Sequence, residues 1–193
     1  MKPSFQLAAI ACALSLALAG CSQSNQSTTN TNNQQQVQTV KQYDAETFFD
    51  TTSIMGSSFS PKGDKVLISS DESGIYSLYE ADIKTAKKTR LTDFEDSTYA
   101  VAYFPKDERV LFTKDSGGNE RYHIYVRETD GTVKDLTPGE ETRAGFAGFT
   151  EDGKHFFITS NQRDAKFMDL YRVNANSYEV TPVYQNTMGL DVG

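Results

Sequence analysis

A block of about 45 residues recurs three times along this 193-residue chain. Phe59-SPKGDKVLIS, Tyr103-FPKDERVLFT and Phe149-TEDGKHFFIT align without gaps, with starts 44 and 46 residues apart. A second marker follows in each copy: IYSLY ending at Tyr79, YHIY ending at Tyr125 and MDLY ending at Tyr171. A third marker closes each copy: RLT around Leu91, DLT around Leu136 and EVT around Val180. In β-rich sequence, a period of this length predicts propeller blades of four strands each. The expected fold class is therefore all-β: a partial β-propeller of three four-stranded antiparallel blades. Three blades fall short of the usual closed ring of four to eight.

Each copy reads the same way internally. A short inner strand of small and apolar residues comes first, over Ile54–Phe59, Tyr99–Tyr103 and Gly145–Phe149. A turn follows, marked by Pro61-Lys-Gly63, Pro105-Lys-Asp107 and Glu151-Asp-Gly153; Pro presets one turn dihedral, and Gly or Asp tolerates the left-handed one. The second strand is apolar almost continuously, as in Val66-Leu-Ile68, Val110-Leu-Phe112 and Phe156-Phe-Ile158, which is the pattern of burial on both faces. Tyr76, Tyr79, Tyr122, Tyr125 and Tyr171 mark the third strand, and Asp130-Gly131 is a hairpin dipeptide leading to the fourth. The expected blades cover about 53–96, 97–141 and 142–187, with 188–193 beginning a fourth. Residues 43–52 form an approach segment, with Phe48 and Phe49 expected to cap the apolar side of the first blade. No amphipathic helix is predicted in the chain after the leader.

The first 42 residues are of a different kind. Residues 1–20 carry Lys2 and an apolar run from Leu7 to Ala19, too short for a spanning helix and typical of an export signal. The run ends Leu18-Ala19-Gly20-Cys21, which resembles the bacterial lipobox, whose cysteine is acylated. The same residues also read as an ordinary signal peptide with a coincident cysteine. Acylation at Cys21 would attach the chain to a membrane, because each buried methylene contributes about 0.8 kcal/mol. Residues 21–42 are rich in Ser, Asn, Gln and Thr, have little to bury, and read as a flexible tether. Ser22 after the cysteine favours the outer membrane, facing the periplasm, in a Gram-negative cell. The only other cysteine, Cys12, lies in the leader, so no disulfide, thiol nucleophile or cysteine-held metal is expected.

Little chemistry is apparent. The net charge of −7 argues against nucleic acid as a partner. No Gly-x-Ser-x-Gly elbow occurs. His123 and His155 lie in strand patterns with no serine and third group set up beside them. Asp115-Ser-Gly-Gly-Asn-Glu120 could shape a calcium loop, but it lacks the spaced acidic ligands of one, and a wide hairpin with Gly117 and Gly118 at positive φ is the favoured reading. No cofactor and no metal are expected. Arg121, Arg143 and Arg163 are candidate rim contacts for a substrate carboxylate. Ten tyrosines and twelve phenylalanines, with no tryptophan, read as blade core at these spacings.

Residues 48–71 (FFDTTSIMGSSFSPKGDKVLISSD), 103–141 (YFPKDERVLFTKDSGGNERYHIYVRETDGTVKDLTPGEE) and 159–174 (TSNQRDAKFMDLYRVN) together resemble the N-terminal propeller of the prolyl oligopeptidase family of serine peptidases. The bacterial exported dipeptidyl- and acylaminoacyl-peptidase-like members are the nearest in kind, and Gly117-Gly-Asn-Glu-x-Tyr-His-Ile-Tyr125 is the most specific stretch. The resemblance spans about residues 43–193. It implies a propeller that gates short peptides toward a C-terminal α/β-hydrolase domain with a Ser-Asp-His triad. No residue here matches a triad position, so the resemblance implies a chain without peptidase activity of its own. An alternative role is a membrane-tethered binding module for peptide or envelope partners. Open outer faces imply a chain of marginal stability.

Overall fold

The computed structural model describes residues 40–190. The expectations for residues 1–20, for Cys21 and most of the tether, and for 191–193 fall outside the described residues. The folded unit begins at Tyr43. Its first element is a five-residue helix, α1 (Ala45–Phe49), capped by Asp44, whose Oδ1 accepts from Thr47 N at 2.8 Å. Nothing in it is buried. Phe48 and Phe49 are 67% and 83% exposed and do not cap the first blade, contrary to the sequence expectation. Phe48 packs edge-on against the Tyr43 ring instead, with centroids 5.9 Å apart, and one turn of helix cannot turn both rings toward a sheet at once.

Twelve strands follow in three antiparallel sheets, each ordered as its strands occur in the chain. Blade 1 comprises β1 (Ile54–Phe59), β2 (Lys65–Ser70), β3 (Ser77–Asp82) and β4 (Lys88–Arg90). Blade 2 comprises β5 (Thr98–Tyr103), β6 (Val110–Lys114), β7 (His123–Arg127) and β8 (Val133–Asp135). Blade 3 comprises β9 (Ala144–Phe149), β10 (His155–Ser160), β11 (Asp169–Asn174) and β12 (Val180–Tyr184). The architecture is that of three propeller blades.

Strand alternation sorts each blade into two faces. Leu67 and Leu78 of blade 1 meet Tyr103, Val110 and Phe112 of blade 2 in one core cluster. Leu111, Ile124 and Val126 point to the other side of blade 2 and meet Phe156, Ile158, Tyr171 and Val173 of blade 3 in a second. The same backbone bond joins successive blades: Thr98 N donates to Tyr76 O, and Ala144 N to Tyr122 O, both at 2.8 Å. Ser58 and Ser69 hydroxyls of blade 1 also accept from Tyr103 N and Ala100 N of blade 2, at 2.7 and 2.8 Å.

Two features are absent from the sequence reading. Each inner strand carries a bulge at the same repeat position, residues 57, 101 and 147, seen as register shifts against the second strand. Such bulges bend and twist a strand locally. The third marker also shifts in the last copy. Arg90 and Asp135 lie opposite Tyr79 and Tyr125, but Pro182, not Glu179, lies opposite Tyr171. The positions of Thr92 and Thr137 therefore fall at Tyr184, and Thr181 lies three residues earlier, opposite Arg172. In blades 1 and 2 those threonine hydroxyls accept from the buried amides of Leu78 and Ile124, at 3.0 and 2.9 Å. Tyr184 has no equivalent role, and it is exposed. Residues 185–190 form no strand, and the expected start of a fourth blade at 188–193 falls partly outside the described residues.

Candidate functional site

In an antiparallel blade the link between second and third strands lies at the same end as the link to the next blade. Residues 71–76, 91–97, 115–122, 136–143 and 161–168 thus gather at one end.

Between blades 1 and 2 lies a depression of about 460 Å³, lined by Glu95, Asp96, Asp115, Glu120, Tyr99 and Tyr122 among others. Tyr76, Tyr99 and Tyr122 form a row with ring centroids 5.3 and 6.0 Å apart, of which Tyr99 and Tyr122 line the depression. Tyr76 and Tyr122 occupy one repeat position, a periodicity visible in the sequence, but Tyr99 joins them only through blade packing. Burial pushes the Tyr122 hydroxyl pKa up, and Tyr99, Asp115 and Glu120 add to the shift. The loop at 115–120 is a hairpin, as favoured: Gly117, Gly118 and Glu120 have φ of 61, 75 and 58°. Asp115 Oδ2 accepts from Glu120 N at 2.9 Å. Asp96 accepts from Lys114 Nζ at 2.9 Å and Gly117 N at 3.0 Å, and these bonds hold its carboxyl below the usual range. Among the described residues no cluster of histidine, cysteine and carboxylate side chains is placed to hold a metal.

Between blades 2 and 3 lies a smaller depression of about 290 Å³, lined by Arg121, Arg143, Asn119, Asn161, Glu120, Glu141 and Ala165. It brings together two of the three candidate arginines. Arg121 Nη2 pairs with Glu141 at 2.7 Å, and its Nη1 donates to Glu140 O at 3.2 Å. Arg143 is fixed through its backbone, whose amide donates to Asn161 Oδ1 at 2.6 Å. Its exposed guanidinium has no ion pair among the described residues. Arg163 does not line this depression. It is clamped to Asp169, with Nη2 2.9 Å from Oδ1, and also donates to Asn186 O at 2.8 Å. Arg163 is the main cause holding the buried Asp169 carboxyl below the usual range. Sequence spacing alone did not reveal this pairing, because Arg163 and Asp169 sit on opposite sides of a loop.

His123 Nδ1 lies 2.8 Å from Asp135 Oδ2, and its ring stacks on Tyr125. It borders a further depression of about 440 Å³ with Lys114, Asn119 and Arg121. His155 lies away from this end, beside Phe157 and Arg172 on the outer face of blade 3. No serine hydroxyl is hydrogen-bonded to either imidazole among the described residues.

No protein-family profile matches the chain. Its sequence is 36% identical over 93 residues to dipeptidyl aminopeptidase BIII from Pseudoxanthomonas mexicana, covering 46% of this chain and 13% of that protein. The chain therefore spans a small part of the length of this relative. TolB from Acinetobacter baumannii superposes with a TM-score of 0.50 at 24% identity, over 67% of this chain and 32% of that one. A prolyl endopeptidase superposes with a TM-score of 0.55 at 9% identity, over 70% and 22%. At these identities the solved structures speak for the fold alone.

Proposed function

We propose that this chain is the propeller region of a prolyl oligopeptidase-family peptidase, and the access-controlling part of an exported serine peptidase; the likeness to a dipeptidyl aminopeptidase supports this reading. In this reading the loop end of the blades faces short peptides on their way to an α/β-hydrolase domain that supplies the nucleophile. The match to a dipeptidyl aminopeptidase carries the proposal. The polar depressions at the loop end support it. Arg143, with its open guanidinium, and Arg121 beside it are suited to a peptide carboxylate, since a planar guanidinium bonds a carboxylate through two parallel N–H groups. Arg163 is committed to Asp169 and contributes through loop stiffness.

We place the protein at the cell envelope, anchored through an acylated Cys21. The lipobox-like residues before that cysteine and the polar stretch after it support this placement. Among the described residues no helix is long and apolar enough to cross a membrane.

The test is peptide titration of the full chain, followed by NMR. Short peptides should shift resonances in 115–122 and 136–143, and Arg143→Ala should weaken the effect several-fold. Peptides that perturb no loop-end resonance would overturn the gating role. A fluorophosphonate probe should leave the chain unlabelled, and labelling would overturn the assignment of the nucleophile to another domain.

A further inference from the structure

We propose that Asn119 works with Arg143 as the donor pair that reads a carboxylate of a bound peptide, so that Asn119 sets a preference for peptide acids over peptide amides. The inference rests on the proposed peptide-binding role of the loop end and deepens it.

The two residues reach one depression from different sides. Asn119 belongs to the 115–120 hairpin of blade 2, and Arg143 to the link between blades 2 and 3. Both line the depression of about 290 Å³. Asn119 is exposed, yet its amide is oriented by its acceptor edge. Its Oδ1 accepts from Arg121 N at 3.0 Å and from Ser116 N at 3.4 Å. Its own N donates to Ser116 O at 3.3 Å. Two N–H groups converging on one atom identify that atom as the oxygen, because an amide NH₂ has no acceptor to offer. The opposite edge is therefore Nδ2, which carries two N–H donors and has no hydrogen-bond partner among the described residues.

Arg143 is held from the side of blade 3 by the buried Asn161. Arg143 N donates to Asn161 Oδ1 at 2.6 Å, and Asn161 N donates to Arg143 O at 3.2 Å. Asn161 Nδ2 also donates to Glu141 O at 3.1 Å, so the whole 141–143 segment is pinned beneath the guanidinium.

Net charge does not select the ligand here. Arg121 and Arg143 are balanced by Glu120 and Glu141 around the depression. Selection falls instead to directed donors. A carboxylate offers acceptors on both oxygens and suits an N–H group on each side. A carboxamide turns an N–H group toward one of those donors and leaves both unpaired, which is how a donor site rejects an analogue.

NMR titration of the full chain with trialanine, trialanine amide and Ala-Glu-Ala amide tests this. Trialanine should bind about tenfold more tightly than its amide. Asn119→Asp keeps the acceptor edge for the Ser116 and Arg121 amides and turns the donor edge into a second acceptor. The preference should then vanish, with the amide bound at least as tightly as the acid. Ala-Glu-Ala amide that follows trialanine identifies the carboxylate as a side chain's; if it follows the amide, the carboxylate is the terminal one. A merely structural role for Asn119 would weaken acid and amide alike, and an unchanged ratio in Asn119→Asp overturns the proposal. In that case binding of trialanine that is still weakened by Arg143→Ala leaves the peptide-binding role standing. Trialanine that perturbs no loop-end resonance of the unsubstituted chain overturns both.

Discussion

Blades 2 and 3 are built from the same repeat, yet they differ in what holds them. Blade 2 has a neighbour on each face. Leu111, Phe112, Ile124 and Val126 are wholly buried there, shared between two core clusters. Among the described residues blade 3 has a neighbour on one face, and Phe157 and Leu170 at the matching positions are partly open. The outer strand follows suit. β8 is partly covered, and Arg127 of β7 beside it reaches back to Leu91 O of blade 1 at 2.9 Å. β12 is almost entirely exposed. A blade therefore does not bury its own strands; the next blade does, as expected of a repeat whose units cannot cover an apolar face alone.

The largest expected break in this comparison is Phe112→Ala. It opens a cavity between blades 1 and 2 and should destabilise the chain by about 3–5 kcal/mol, read by urea unfolding. Arg109→Ala comes next. Arg109 lies over the Phe104 ring at 4.1 Å and donates to Ala175 O and Tyr178 OH at 2.7 and 2.6 Å, tying blade 2 to blade 3. Its loss should cost about 2–3 kcal/mol. The same network predicts alkaline sensitivity. Burial, and then the hydrogen bond to Glu128, push the Tyr178 hydroxyl from its ordinary 10.0 up to about 12. The folded state then holds this proton more tightly than the unfolded one, so the associated stability is intact below pH 10.0 and is lost as pH rises toward about 12. Tyr178→Phe should flatten the stability profile in that window.

Thr137→Val probes a finer difference. It strips the buried Ile124 amide of its partner and should cost about 1–2 kcal/mol. Tyr184→Phe, at the matching position of blade 3, should change stability within about 0.5 kcal/mol. The smallest effect is expected for Leu170→Ala. It should cost under about 1 kcal/mol, because the side chain has not fully left water. A loss comparable to that of Phe112→Ala would show that the outer face is covered after all.

The parts of this fold legible in the sequence are those that repeat. The second strands announce themselves by unbroken apolar runs, and the tight turns by Pro, Gly and Asp at fixed offsets. The Gly117–Gly118 hairpin needed only glycine's tolerance of positive φ. What the repeat averages over was hidden. The shift of the last marker from Thr181 to Tyr184 depends on a register change in β12 that no spacing reveals. The short helix at 45–49 lies outside the repeat and buries nothing, so it leaves no hydrophobic period to read. The loop-end chemistry was partly legible. Arg121 and Arg143 do share a depression, because both occupy links at the same end of their blades. Arg163 is bound by Asp169, and the Tyr76–Tyr99–Tyr122 row crosses two blades; both depend on contacts between loops.

Residue-resolved hydrogen exchange is the most direct measurement of the claim that neighbours, not strands, set burial. Amides of β6 and β7 should exchange most slowly, at the limit set by global unfolding, and those of β12 should exchange orders of magnitude faster. Equal protection across blades 2 and 3 would contradict it.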